Sequence, residues 1–384
     1  MALSANKGEW SEVYAHFKLL ADGRLFSGDA KLNKLSNIFF PIIQIMRLEK
    51  DNKEYIYKIS NDGYNVDILS EESSSQISIP RESFAQMAQT LLEHIITAGV
   101  TTFSSEEVEE FMATVNMFKI KAEGKSDIRL MIHNLRTEQF TSLGYSIKSR
   151  LGADSTLLNT NRDGTNFMYL INGDLNADQV YLINSIPYIN ARIDALHKCG
   201  CTISYRGVVD PTFRNNLRYL DSDLHRIIAY CLLGYYSHNA ASSLVSDVTK
   251  FVSFCNPCDY PTNVGMDFYE HKIKQFLINF ALGMTANKPW DGIVQANGGY
   301  IVVKEDGDII CYHFYDRNQL EDYLFENTYF DTPSTSRHDH GSVMFDNLED
   351  QLYMKLNIQV RFVGREKRKW HPESDYVPFT GFIE

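Results

Sequence analysis

Asp127 and Lys148 are residues whose types, spacing and surroundings would let them act together on a phosphate ester. Each sits in a short segment with strand character: Asp127-Ile128-Arg129-Leu130-Met131-Ile132, and Leu143-Gly144-Tyr145-Ser146-Ile147-Lys148. Side chains two apart on a strand share a face, so Ser146 and Lys148 point one way and Tyr145 and Ile147 the other. If the two strands pair antiparallel, Asp127 comes to lie beside the Ser146–Lys148 face. A carboxylate and an ammonium there could hold a divalent cation and a scissile phosphate, because magnesium takes one or two carboxylates plus waters and phosphate oxygens. The lysine could orient or help deprotonate an attacking water while the cation stabilises charge on the phosphate. An Asp and a Lys at such a spacing are common by chance, and a solvated surface hairpin is the competing reading.

Several elements must position these groups. Trp10, Val13, Phe17 and Leu20 recur at helical spacing, which predicts a helix from Lys7 to Leu20 with Glu9 and Glu12 on roughly one side. Tyr55 to Ile59 alternates as a strand before the turn signal Asn61-Asp62-Gly63, and Glu71 to Gln76 reads as a solvated loop. Helices are expected at about 81–98, 105–112, 222–236 and 267–282. A strand is expected at 165–171, a hairpin at 299–313 around Glu305-Asp306-Gly307-Asp308, and a last strand from Tyr353 to Phe362. The mixture of helices and short strands points to an α/β or α+β architecture.

Composition narrows the class. The chain has 384 residues, 44% hydrophobic and 22% charged, the balance of a globular protein with more than one domain. It has no apolar run long enough to span a membrane and no secretory leader, which leads us to expect a cytoplasmic protein. Six cysteines are too few for a disulfide scaffold, and Cys255-Asn256-Pro257-Cys258 lacks the second pair that a zinc knuckle needs. The net charge of −12 disfavours a nucleic-acid partner only weakly, because a local basic surface can still attract phosphate. Two such stretches occur. Residues 119–150 hold seven basic and three acidic residues, and residues 355–370 hold six basic residues and one acid. The second stretch, with Arg365, Lys367 and Arg368, suits phosphate clamping, although charge that protects a terminal strand edge explains it equally well. Ser334-Thr335-Ser336-Arg337-His338-Asp339-His340 packs hydroxyls, a guanidinium and imidazoles into a loop after a Pro, groups able to read base edges or, alternatively, to satisfy local backbone.

The segment Lys7-Gly8 followed by Glu12 on an amphipathic helix resembles the opening helix of PD-(D/E)xK nucleases. Asn6-Lys7-Gly8-Glu9-Trp10-Ser11-Glu12, Lys125-Ser126-Asp127-Ile128, Gly144-Tyr145-Ser146-Ile147-Lys148-Ser149 and Thr165-Asn166-Phe167 together resemble the HpaII-type restriction endonucleases. So do Thr332-Pro333-Ser334-Thr335-Ser336-Arg337-His338 and Lys355-Leu356-Asn357-Ile358-Gln359-Val360-Arg361-Phe362. The ordered set carries the resemblance, from near residue 6 to about residue 363.

What the resemblance implies is a magnesium-dependent type II enzyme that cuts double-stranded DNA at a short palindrome, CCGG in the namesake, to leave 5′-phosphate ends. It implies a PD-(D/E)xK-like mixed sheet flanked by helices, with additional α+β elements for DNA. It gives Lys148, Asp127 and Glu12 catalytic roles, with Asp127, Glu12 and the Ile147 carbonyl as metal ligands. It assigns DNA contacts to Ser334, Ser336, Arg337, His338, Arg365, Lys367 and Arg368. Ser146 departs from the pattern, which has an acid there; Glu12 is the preferred replacement, with Glu9 and Asp163 behind it. The expected division is a nuclease core over 1–175, with an inserted segment at about 50–115, and a recognition region over 176–384. A host methyltransferase and a homodimer would accompany such an enzyme. A non-catalytic DNA-binding protein and a structure-selective repair nuclease are the alternatives.

Overall fold

The computed structural model describes residues 3–49, 53–70, 73–123, 126–135, 137–162, 164–294, 297–364, 367, 369 and 370. The chain is a mixed α/β protein that divides into two compact units, Met1–Ser155 with Ala296–Tyr323, and Thr156–Gln295 with Leu324–Glu384.

The first unit is organised around the helix Lys7–Asp22. Asn6 caps its start: the Asn6 side chain accepts from the Glu9 N–H and the Glu9 carboxylate accepts from the Asn6 N–H, which satisfies two otherwise orphaned donors. At the other end Gly23 takes a left-handed conformation (φ 62°), and its N–H donates to Leu19 O. Arg81, the first residue of the helix Arg81–Thr97, donates to Leu20 O (3.0 Å) and Ala21 O (2.6 Å), so the last carbonyls of the first helix are also met. Trp10, Val13, Phe17 and Leu20 are buried, as their spacing predicts, and Phe17 packs edge-on against Phe84 and Phe111.

Beside this helix lies a nine-stranded sheet whose first part closes on itself. Arg24–Gly28 pairs antiparallel with the long strand Lys34–Leu48 and parallel with Ile309–His313. The circuit returns through Gly299–Val303, Gln139–Ser149 and Ile128–Asn134 to Lys34–Leu48. Glu54–Ile59, Asn65–Ser70 and Ser73–Pro80 extend the sheet as an antiparallel meander. The loop expected at 71–76 is therefore corrected in part: Ser73 to Gln76 belong to a strand, because pairing with Asn65–Ser70 supplies their backbone bonds, while Glu71 and Glu72 lie outside the described residues.

The hairpin Gly299–Val303/Ile309–His313 forms where its pattern predicts, and it belongs to the first compact unit. The cause is its parallel pairing with Gln139–Ser149, Gly299 opposite Tyr145 and Val302 opposite Lys148. A parallel neighbour needs a long crossover, so this sheet must draw on distant sequence. The second unit starts at Thr156.

In the second unit an antiparallel sheet runs in the order Thr202–Val208, Asn166–Asn172, Gln351–Asn357, Val343–Asp346. The strand expected over 353–362 is two strands. Gln351–Asn357 pairs with Asn166–Asn172, then Ile358 donates to Thr165 O, and Val360–Phe362 joins a small sheet with Thr328–Phe330 and Thr156–Leu158. The helices Leu224–Tyr236, Val245–Cys255 and Phe268–Ala281 bury apolar faces in this unit. No helix of the described residues is long and apolar enough to cross a membrane.

Gly298 makes the parallel pairing possible, since a Cβ there would overlap the Gly144 carbonyl oxygen, and Gly299 serves the antiparallel hairpin, where a Cβ would overlap the Tyr312 carbonyl oxygen. Gly298→Ala is expected to destabilise the protein by about 3 kcal/mol or more, whereas Gly99→Ala, where a Cβ meets nothing within 4 Å, should be near neutral. Thermal melts of the two variants test this, and equal melting temperatures would refute the steric argument.

Candidate active site

Asp127 stands where the antiparallel ladder of the 128–149 hairpin runs out. Its N–H donates to Tyr145 O (3.0 Å), and its carboxylate accepts from the Ile147 N–H at 2.7 Å. The side chain thus replaces the backbone carbonyl that a longer strand would have offered, and one carboxylate oxygen is fixed against the strand carrying Lys148. Tyr145 turns into the core and Lys148 away from it, as the alternation requires. The Lys148 ammonium lies over the Tyr300 ring, 5.2 Å from its centre, on the neighbouring parallel strand. Burial lowers the Lys148 pKa, and the charges of Asp127 and Glu12 work against that shift.

Glu12 comes from the first helix, with 14% of its side chain exposed. Loss of water, followed by the charge of Asp127, raises its pKa to about 7, against the pull of Lys121 and Arg47. Glu9 is held differently: its carboxylate is part of the helix cap, and it also pairs with Lys121 at 3.5 Å. The helix rotation that the sequence left open thus sets Glu12 in the field of Asp127 and Lys148, and Glu9 at the helix start. Asp163 lies outside the described residues.

Sequence reasoning missed Arg47, Lys121 and Tyr300. Arg47 is a buried guanidinium that donates to Glu49 (2.6 Å) and to the carbonyls of Lys119 and Ile120, holding the segment that presents Lys121. Its only signal is a basic residue near the end of an apolar run, and that pattern does not announce a buried ion pair. Among the described residues no group of three or more His, Cys, Asp or Glu side chains is placed to hold a metal. The Asp127 charge reaches Glu12, and two carboxylates are a number that magnesium commonly takes from protein.

In the second unit Ser334 to His338 form a single helical turn, Thr335–His338, capped by Ser334. Ser334, Ser336 and Arg337 are exposed, and His338 is half-buried with its pKa lowered by burial and by Arg337. His340 is buried against Pro333 O and Tyr236, and burial holds its pKa down at about 4, so it is a neutral packing residue. The basic tail is partly engaged within the protein. Lys355 pairs with Asp339, Arg361 with Asp331 and Lys369 with Asp247, and Lys367 lies over the Tyr329 ring. Arg365 and Arg368 lie outside the described residues.

Similarity to known proteins gives the class. A family model described as HpaII restriction endonuclease matches residues 6–362. The chain is 41% identical over 363 residues to the type II restriction enzyme HpaII of Haemophilus parainfluenzae, covering 94% of this chain and 99% of that protein. No solved structure matches. The protein is a site-specific deoxyribonuclease of the restriction type. It belongs to the HpaII restriction endonuclease family.

A carboxylate whose folded pKa lies above its unfolded value costs stability that begins above the unfolded pKa and is complete above the folded one. Ionised Glu12 should therefore weaken the metal-free fold between about pH 4.5 and pH 7. Glu12→Gln should raise the melting temperature at pH 8, by the equivalent of about 1–3 kcal/mol, and remove cleavage. Glu9→Ala should instead lower stability by about 1 kcal/mol through the lost cap and keep most cleavage. Melting curves and cleavage assays on both variants check the contrast, and the opposite ranking would assign the site to Glu9.

Proposed function

We propose that Asp127, Glu12 and Lys148 form the hydrolytic centre of this nuclease, on a PD-(D/E)xK-like core in which Glu12 stands in for the acid missing at Ser146. The observation that carries this reading is the convergence of the three groups. Asp127 acts on both Glu12 and Lys148, and Glu12 acts on Lys148, although the three come from segments distant in sequence. A resident magnesium ion fits the donor set, because a desolvated Glu12 beside Asp127 is a pair of like charges that a divalent cation would relieve. Asp127 and Glu12 would hold it. The Ile147 carbonyl would be a third ligand, since a residue's N–H and C=O leave the same edge of a strand and the Ile147 N–H is directed at Asp127. When bound, the ion would supply electrostatic stabilisation to the phosphate as its charge grows.

Lys148 acts on the water. Its lowered pKa and its place near both carboxylates suit a lysine that orients the nucleophile and, as the neutral amine, accepts a proton from it. Water attacks phosphorus, the P–O3′ bond breaks, and the products are a 3′-hydroxyl and a 5′-phosphate. Ser334, Ser336, Arg337 and His338 would meet the bases, with Arg337 suited to guanine O6 and N7. Arg365, Lys367 and Arg368 would meet phosphates. The site would be a short palindrome, CCGG as the family resemblance implies, cut by a cytoplasmic homodimer alongside a host methyltransferase that protects the same sequence.

Lys148→Ala should abolish cleavage, by a factor of about 10³ or more, and leave binding to a cognate duplex within a few-fold. Single-turnover cleavage in Mg²⁺ and duplex binding in Ca²⁺ measure the two properties separately, and a variant that cuts normally would end the assignment. Arg337→Ala should cost about 1–3 kcal/mol of discrimination at one base position. Cognate and singly altered duplexes measure that loss; equal weakening of both would make the turn a backbone clamp.

A further inference from the structure

Three of the sequence segments that carry the family resemblance meet in one buried polar network, and the catalytic proposal uses none of it. Asn357, at the end of its strand, is 0% exposed, and Thr165 and Asn166 are 0% and 1% exposed. The Asn357 amide is fully committed. Its oxygen accepts from the hydroxyls of Thr160 and Thr165 (2.8 Å from Thr165), and its nitrogen donates to Asn161 O (3.2 Å) and to the Asn166 side-chain oxygen (2.8 Å). That fixes the direction of the next amide: with its oxygen occupied by Asn357, Asn166 must donate through Nδ2, and it does so to Arg162 O (2.5 Å) and to His338 O (3.2 Å). His338 is the last residue of the turn that exposes Ser336 and Arg337.

Besides this bond, the turn is flanked by the buried His340, which lies against Pro333 O and Tyr236, and by the Gly341 N–H, which donates to Lys355 O. Its helix is one turn long, too short for a helical ladder to set its orientation, and the chain leaves it through Asp339 in a left-handed conformation (φ 49°). Lys355 pairs with Asp339 just beyond, on the strand that ends at Asn357. Buried amides whose bonds are all made tolerate no rotation, so the network acts as a rigid anchor with one outlet toward the turn.

We infer that Asn166 is a positioning residue for sequence discrimination, which sets the 334–338 turn through the His338 carbonyl so that Arg337 meets one base edge. This rests on the reading of that turn as the base-reading element. A network that only stabilises the second unit would contribute to melting temperature and nothing to discrimination. Thr160 separates the two cases, because Thr160→Val removes a donor to Asn357 and leaves the Asn166–His338 bond in place.

The test compares Asn166→Ala, Thr160→Val, Arg337→Ala and the double variant Asn166→Ala/Arg337→Ala. Rates of cleavage are taken on a cognate duplex and on duplexes altered at single positions, at a temperature where circular dichroism shows every variant folded. Asn166→Ser, which is smaller and also loses the reach to His338, replaces the alanine if that variant does not fold. Asn166→Ala should lower the cognate-to-altered ratio about tenfold at the position that Arg337 reads, while Thr160→Val lowers only the melting temperature. The double variant should discriminate no worse than Arg337→Ala, because the first residue works through the second. If Arg337→Ala lowers the ratio and Asn166→Ala does not, or if Thr160→Val lowers it as much, the positioning role is overturned and the turn's reading survives. If Arg337→Ala leaves the ratio unchanged, the reading of the turn fails, and the inference with it.

Discussion

The hydrogen bond from the Ile147 N–H to the Asp127 carboxylate is the contact on which the geometry of the first unit's candidate site depends. A strand that ends leaves its neighbour's amide without a partner, and a buried or half-buried amide must find one. Here the partner is a side chain, so closing the ladder and placing a carboxylate become one act. The same strand carries Lys148 one residue on, and its other edge is taken by Gly299–Val303, whose Tyr300 supports the lysine's side chain. Moving the pairing by one residue would turn Lys148 into the core and Tyr145 out of it. The close approach of Gly298 to the Gly144 backbone and the closed circuit of strands hold that register.

That arrangement gathers charges that the fold by itself would avoid. Two carboxylates lie within each other's field, one of them desolvated enough to hold a proton near neutrality, beside a lysine whose own charge is disfavoured by burial. Such groups are concentrated at sites where proton transfer and cation binding occur, and they lower stability in the absence of a ligand. Around them the protein spends structure on support. The buried Arg47 pairs with Glu49 and holds the Lys119–Ile120 backbone, and Lys121 leans on Glu9 and Glu12 from the end of that segment.

The second unit follows a different logic. Its exposed turn carries the guanidinium and hydroxyls suited to a base edge, and behind the turn Thr165, Asn166 and Asn357 form a neutral, fully bonded network. Neutral amides lose less on burial than charges, and a complete set of bonds gives them one geometry. The basic tail looks like a phosphate clamp in composition, yet its described cations lie against Asp339, Asp331, Asp247 and Tyr329.

Local patterns determined much of this protein. The first helix, the two strands of the 128–149 hairpin and the 299–313 hairpin are all legible in the sequence, because each is decided by apolar spacing and turn residues within a few positions. The face shared by Ser146 and Lys148 follows from strand periodicity alone, and the ordered motifs carried the family. Tertiary structure decided the rest. Whether Glu9 or Glu12 faces Asp127 depends on how the helix rotates against the sheet, and no local signal encodes that rotation. The long strand Lys34–Leu48, the strand at Ser73 and the break at Ile358 depend on which distant segments supply hydrogen-bond partners. The buried roles of Arg47 and Asn357 were hidden for the same reason: a polar residue's burial is set by partners far along the chain, and spacing carries no record of them.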